Sequence, residues 1–550
     1  MRAKALVSLA MLCGCFTISV LAQQAKLRII HGKVINGVTY DPVPRALVFS
    51  PNDSESVMTN SDGEFEFEIR TEGLNGGITS GLLIETDPQP AYSITLSARK
   101  PRFISQADAE VEISPDTKQV VITLYPEAQI VGKIATTSDV PEKLQIELYK
   151  RTIDDGAVRW ASLGTATTLW DGDFRFGGLT AGVYKIFSRD AQDSDRSLPT
   201  GQQFGFPPVF FPNASDFQSG EEIHLLAGET FHANLSAKSE PYFPVEIAVL
   251  NVPQDATIKT NVARQNAAGP GYSLGYNVEQ QKIDGLLPAD TFTIEAFIDP
   301  PTCLNGSITI AIRAPVPPGM AIPLEPCPSV RATVSTEFRA THALDSQREA
   351  ALYPRTIELK PDDDFGQKAS VFLYYDQRKS DRTLIANSVQ PGRYRVLLDS
   401  LDSYVSSLSS GDVNLMQDLL TVAGTGANPI EVVLRDDFSF IGGIVEAPAT
   451  DTKRTFAENL GSRAHSPIHA YCIPIDVGQF TELPVSEEGK ILPTPVPPGK
   501  YLVIALNDWK HNIEFRNPAA VHYYEEGGQI VNLMPGRTEQ VKLKLVSDYE

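Results

Sequence analysis

Apolar and polar residues alternate in steps of two along much of this chain. In Asp62-Gly63-Glu64-Phe65-Glu66-Phe67 and Asp171-Gly172-Asp173-Phe174-Arg175-Phe176 the phenylalanines fall at every second position. That period places both rings on one face of an extended strand, toward a core. The Asp-Gly pair before each run supplies the positive φ angles of a tight hairpin turn. Apolar spacing at three and four residues is scarce, and proline interrupts most candidate helices. Short helices are expected only around 412–420 and 517–526. The pattern therefore predicts an all-β protein of many short strands.

The pattern repeats. Leu179-Thr180-Ala181-Gly182-Val183-Tyr184, Val389-Gln390-Pro391-Gly392-Arg393-Tyr394 and Val496-Pro497-Pro498-Gly499-Lys500-Tyr501 each set a turn before a strand that begins with an aromatic residue. Leu287-Pro288-Ala289-Asp290-Thr291-Phe292 is a degenerate copy. The aromatic residues stand roughly a hundred residues apart, as do the two Asp-Gly hairpins, which is the length of one β-sandwich. Five modules are expected after a leader, over 27–125, 126–237, 238–329, 330–436 and 437–547. The corner glycine is expected in the left-handed conformation, and the Tyr ring on the core with its hydroxyl on nearby backbone.

Composition agrees. Of 550 residues 42% are hydrophobic, and 40 prolines and 39 glycines are spread along the chain, as short strands joined by turns require. The net charge of −21 repels phosphate backbones, so nucleic acid is not an expected partner. Arg2 and Lys4 precede an apolar run from Ala5 to Leu21 and a small-residue site at Val20-Leu21-Ala22. This reads as a signal peptide over 1–22, cleaved before Gln23. Leu12-Cys13-Gly14-Cys15 offers the alternative of a lipobox, with lipid on Cys15. No later segment is apolar enough to span a bilayer. An oxidising compartment suits a Cys303–Cys327 disulfide and leaves Cys472 as a single buried thiol.

Gly32-Lys33-Val34-Ile35, Pro42-Val43-Pro44-Arg45-Ala46-Leu47-Val48 and Asp62-Gly63-Glu64-Phe65 together resemble the carboxypeptidase regulatory-like domain, a prealbumin-like β-sandwich. Val131-Gly132-Lys133-Ile134 and Ile441-Gly442-Gly443-Ile444-Val445 repeat its opening strand. The whole chain is similar to multi-module exported bacterial proteins that carry this domain. The resemblance implies tandem sandwiches and assigns no reaction. The third module departs from the pattern, with no Asp-Gly-x-Phe hairpin and Ala289-Asp290 in place of Pro-Gly.

Candidate chemistry is sparse. The sequence has no His-Glu-x-x-His helix, no Gly-x-Ser-x-Gly elbow and no phosphate loop, so no catalytic residue is assigned and no cofactor is expected. His465, His469 and Cys472 carry zinc-ligand chemistry at compact spacing, but on a strand His469 and Cys472 face opposite ways. Asp171 and Asp173, with Asp154 and Asp155, are the alternative of a Ca²⁺ site, and Asp362-Asp363-Asp364 is a second acidic knot. Trp160, Trp170 and Trp509 could form a platform on which sugar rings stack. The leading expectation is an exported, non-catalytic binding or scaffold protein in the periplasm, on the cell surface or secreted. Its partner would be an envelope or extracellular protein, peptidoglycan or polysaccharide. The alternatives are a carbohydrate-binding accessory, for which Trp160 and Trp170 are the residues to check, and a hydrolase with a cleft between modules.

Overall fold

The computed structural model describes residues 27–51, 55–70, 94–104, 110–113, 117, 119–136, 144–190, 202–338, 353–375, 383–398, 402–446, 468–506 and 513–546, apart from the single positions 255, 268, 318, 367, 477 and 487. The signal segment, Cys15, His465 and Trp509 lie outside these residues. The fold is all-β: among the described residues strands dominate and one α-helix occurs, Pro518–Tyr524. Asn517 caps it by accepting from the Ala519 N–H, and Pro518 supplies a favourable first residue. The 412–420 segment is not a helix. It folds as short strands Val413–Asn414 and Leu420–Val422 with turns between, because its apolar residues Leu415 and Leu420 point into a sheet core. No described helix is long and apolar enough to cross a membrane.

Two compact units are present, Met1–Pro126 and Glu127–Glu550. In the first, strand Leu27–Asn36 runs antiparallel to Glu64–Arg70 and parallel to Gln119–Pro126. A second sheet of Ser56–Met58, Leu47–Phe49, Ile94–Arg99 and Glu110–Ile113 faces it. Ile30, Val34, Phe65, Phe67, Leu96 and Ile122 fill the space between them. The alternating Phe65 and Phe67 thus share the core face.

The second unit repeats that arrangement. Opening strand Ala128–Thr136 is antiparallel to Asp173–Leu179 and parallel to Thr230–His232 and Leu235–Ala237. Glu240–Leu250 is antiparallel to Lys282–Pro288 and parallel to Ala321–Pro323. Val330–Thr336 is antiparallel to Thr383–Ala386 and parallel to Ile430–Arg435. Ser439–Glu446 is antiparallel to Lys490–Val496 and parallel to Thr538–Val546. Each opening strand is therefore central, and a parallel partner closes the module over it.

The strand after each of these antiparallel partners carries the recurrent aromatic residue. Tyr184, Phe292, Tyr394 and Tyr501 are all buried. The Tyr184 hydroxyl donates to the Thr180 carbonyl and that of Tyr394 to the Gln390 carbonyl, both at 2.7 Å. Each bond spans four residues and pins the corner to its strand. The corner glycines do not take the expected left-handed turn. Gly182 and Gly499, with φ of 153° and 158°, lie outside the compact left-handed helical well but still at positive φ, where glycine is favoured, and each is the first residue of its strand.

The hairpin glycines do fulfil the turn requirement. Gly63 and Gly172 have φ of 72° and 86°. In addition, each carbonyl accepts from the opening strand, Gly63 from the Val34 N–H at 2.8 Å and Gly172 from Ile134 at 2.9 Å. A Cβ at either would press on the carbonyl oxygen of the same strand residue. Gly489, with φ 77°, holds the equivalent place under Val445, where Glu488 replaces the aspartate.

Candidate functional site

The hairpin Leu144–Asp154 and Ala157–Thr167 positions the most chemically dense region. Its tip is the two-residue turn Asp155-Gly156, with φ of 50° and 72°, the left-handed pair of a tight hairpin. The tip reaches chain segments far away in sequence. Arg516 donates through Nε to the Asp155 carbonyl at 2.6 Å and through Nη2 to its carboxylate at 2.7 Å. The Gly156 carbonyl accepts from the Arg516 N–H, and the Phe515 ring lies against Gly156. Lys360 pairs with Asp154 at 2.7 Å, and Arg151 with Glu514 at 2.6 Å. Arg159 pairs with Asp364 at 2.9 Å, and the Trp160 N–H donates to the Asp364 carbonyl.

Beside these ion pairs is an aromatic cluster outside the sandwich cores. Tyr149, Trp160, Phe187, Phe210 and Phe217 form it, and Phe365 inserts from the 330–436 module, 4.9 Å from the Phe217 ring. The buried Lys185 ammonium donates to the Phe217 carbonyl at 2.9 Å and lies over the Trp160 and Phe217 rings. An ammonium held this way keeps its charge solvated by carbonyl and ring faces rather than by water. Modules within the second unit are thus joined through substantial seams, beyond what their internal repeats predict.

A cavity of about 370 Å³ opens at this junction. Three stretches line it: Ile153, Asp155 and Gly156 from the hairpin, 395–398 with 403–416 residues, and Gln479, Phe480, Ile513, Phe515 and Arg516 from the last module. Its lining mixes apolar side chains such as Leu408, Met416 and Phe480 with Ser403, Gln479 and the charged residues Arg395, Arg516 and Asp155. Burial, followed by the neighbouring Arg516 charge, lowers the affinity of the Arg395 guanidinium for its proton.

A second concavity, of about 570 Å³, lies on the 126–237 module. Leu169, Lys133, Asp173, His232 and Asn234 line it. Next to Leu169, Trp170 stands on the hairpin turn with 78% of its surface exposed.

The sequence-derived candidates separate accordingly. Trp160 is not a ligand platform: it is 8% exposed and packs edge-on to Phe217 at 5.2 Å, because the strand buries its ring in the seam. Trp170 does meet solvent. Asp154 and Asp155 do not join Asp171 and Asp173, since the two pairs sit on turns at opposite ends of their strands and the first pair binds Lys360 and Arg516. Asp171 accepts from the Asp173 N–H, and Asp173 faces Lys133 at 3.5 Å. Asp362 pairs with Arg393 and Asp363 accepts from the Phe365 and Lys368 N–H groups, so the acidic knot shapes a turn. His469 lies 2.9 Å from Glu482, whereas Cys472 is in the core, where burial pushes its thiol up to about 12. Among the described residues no three His, Cys, Asp or Glu side chains are grouped to hold a metal. Cys303 and Cys327 are joined by a disulfide. Sequence reasoning missed Arg395 and Arg516, whose only local signal is a second cation in the strand Gly392–Leu398 and a cation after an aromatic.

No protein-family model matches the chain, and no curated protein matches it. Solved structures with partial similarity include the Bacillus anthracis TIE protein, at 9% identity and TM-score 0.16, over 76% of this chain and 75% of that one. GBS52, the minor pilin of Streptococcus agalactiae, matches at 11% identity and TM-score 0.18, over 38% of this chain and 97% of that one. The shaft pilin SpaA from Lactobacillus rhamnosus GG matches at 12% identity and TM-score 0.18, over 39% and 98%. With scores this low, the fold class rests on the strand pairing of the chain itself.

Proposed function

We propose that the chain is an exported, non-catalytic binding and scaffold protein of the bacterial envelope or extracellular space. Its tandem sandwiches present loops and hairpin turns to an envelope protein, peptidoglycan or polysaccharide. The observation that supports this reading best is the Leu169-Trp170 turn, where both large apolar side chains stand in solvent, 61% and 78% exposed, beside a concavity that Lys133, Asp173, His232 and Asn234 help to line. A hairpin turn that only needed to reverse the chain would be better served by small polar residues. The carboxylates at the seams are engaged in ion pairs between modules, which suits a load-transmitting or display role.

The exposed Trp170 favours a second, narrower reading in which the partner is a polysaccharide. Its ring would stack on a sugar face, while Lys133, Asp173, His232 and Asn234 offer hydrogen-bonding groups to hydroxyls. Retention of the mature chain on purified peptidoglycan, on envelope extract and on a panel of insoluble polysaccharides tests both. Retention on at least one is expected. Uniformly blank columns at high protein concentration would remove the binding role. Polysaccharide retention that survives Trp170→Ala would remove the second reading alone.

A further inference from the structure

The hairpin strand Ala157–Thr167 stands at the end of its sheet, with Leu144–Asp154 on one side and, among the described residues, no strand on the other. Its backbone groups alternate between that neighbour and the open side. Two hydrogen bonds fix which residues face out. The Trp160 N–H leaves the hairpin and donates to the Asp364 carbonyl at 2.7 Å, whereas the Thr168 N–H donates back to the Leu144 carbonyl at 2.9 Å. Between them the register slips by one residue at Leu163-Gly164, opposite the step from Leu148 to Tyr149. Counting back from Thr168, Thr167 and Thr165 face out and Ala166 faces in. Among the described residues no backbone carbonyl meets either outward N–H. The backbone of Asp364 thus caps the first half of this edge and leaves the second half bare.

Sheet edges are ordinarily protected by charge, proline or a covering element. Edge strand Glu64–Arg70 carries Glu64, Glu66 and Glu68, and edge strand Lys259–Arg264 begins and ends on a cation. The stretch Ser162–Thr167 has neither charge nor proline, and all of its residues except Ala166 are exposed. Leu163 within it and Leu169 just past it also stand in solvent. Ala166 and Thr167 border the concavity lined by Lys133 and His232, which leaves room beside the edge. In a chain of net charge −21, an uncharged edge is where a like-charged copy meets least repulsion.

We propose that two copies of the chain pair along this edge, antiparallel about a two-fold axis at Ala166. A row of unpaired N–H and C=O groups binds an extended strand, and identical strands related by a two-fold satisfy each other. In that register Thr165 of each copy lies opposite Thr167 of the other, and each such pair exchanges two backbone hydrogen bonds. Ala166 faces Ala166 between them, and Leu163 comes beside the other copy's Leu169. The bulge limits the flat stretch to Thr165–Thr167, so the pairing is weak and shows at high protein concentration. This inference goes beyond the scaffold reading, to which it supplies a second copy of the Trp170 turn, and it holds or fails whatever that turn binds.

Sedimentation of the mature full chain across a range of concentrations, at low and high salt, reads the pairing. A monomer–dimer equilibrium that tightens fivefold or more with salt is expected, because salt screens the repulsion between two acidic chains. Thr165→Glu combined with Thr167→Glu sets like charges opposite one another at the axis and should weaken the dimer tenfold or more. Mild oxidation reads the register. A non-hydrogen-bonded pair holds its Cα atoms about 4.5 Å apart, within disulfide reach, so Ala166→Cys should give a covalent dimer and Thr165→Cys should not. A chain that stays monomeric at millimolar concentration and high salt would overturn the proposal. So would an undiminished dimer in the double glutamate variant, or cross-linking as efficient at position 165 as at 166. If the glutamate variant does not fold, the two cysteine variants decide alone. Retention on peptidoglycan and polysaccharide is scored separately: a monomeric chain that is retained there loses this inference and keeps the scaffold reading.

Discussion

The repeats opened by strands Ala128–Thr136 and Glu240–Leu250 share one strand pairing but differ in nearly every sequence marker. The first has the Asp-Gly hairpin at Gly172, a glycine corner and a Tyr184 hydroxyl bonded four residues back. The second has Ala289-Asp290 at its corner and Phe292, which has no hydroxyl to donate. Both nonetheless seat the opening strand between an antiparallel partner and a parallel closing strand. What they share is the buried ring, since Tyr184 and Phe292 are each fully enclosed. The ring and the alternation therefore define the module, and the corner hydrogen bond is an addition to it. In the second module, other features take the place of that bond. Tyr272 meets Phe292 edge-on at 5.0 Å, and the Cys303–Cys327 disulfide ties strand Leu304–Ala311 to the turn before the next module.

This comparison can be broken most decisively at the ring. Phe292→Ala should destabilise its module by about 4 kcal/mol, as large core truncations do. Loss of hydrogen-exchange protection in Lys282–Pro288 and Thr291–Ile298 is the readout, because a multi-module chain need not melt in one step. Replacing Cys303 and Cys327 by serine should cost about 3 kcal/mol, judged by the loop of 24 residues that the bond closes, with the loss again confined to this module. Equal stability with and without reductant would show that the disulfide does not substitute for the corner bond.

Smaller effects separate ring from hydroxyl. Tyr184→Phe and Tyr394→Phe should each cost about 1 kcal/mol. Tyr501→Phe should cost less than about 0.5 kcal/mol, since its hydroxyl has no partner four residues back and lies against Gly478. An equal loss at all three would mean that the bond is not what distinguishes them. Alkali offers a further check. Burial raises the Tyr394 hydroxyl from 10.0 to about 12. Its contribution to stability is complete below pH 10 and declines as pH rises toward 12, because the unfolded chain ionises first. Urea midpoints of Tyr394→Phe measured across that interval should fall less steeply than those of the parent.

Much of this architecture was legible in local pattern. The alternation at Phe65/Phe67 and Phe174/Phe176, the Asp-Gly turns and the recurrent aromatic residue are short-range signals, and their physical cause lies within a few residues. The equivalent Glu488-Gly489 turn escaped notice because the constraint acts on the glycine, through its φ and its carbonyl, and not on the acid before it. The junction could not be read in advance for a different reason. Asp155 and Arg516 are separated by 361 positions, and nothing near either one announces the other. Trp160 shows the same limit, since its burial depends on Phe217, Lys185 and the backbone of Asp364. Trp170, by contrast, was identifiable as turn-borne from the Asp-Gly pair that follows it.

The reach of the 144–167 hairpin bears on how the chain is made. Synthesis delivers its aromatic flank long before Phe365 arrives to cover it, and the tip waits longer still for Arg516. During that interval a folded sandwich exposes Trp160, Phe217 and a lysine with half its surroundings missing. Such a surface is prone to association with other chains, so a holding chaperone has something to grip. Nor can the polypeptide be trimmed cleanly from its far end: removing the final module strips the cap from a hairpin encoded more than three hundred codons earlier.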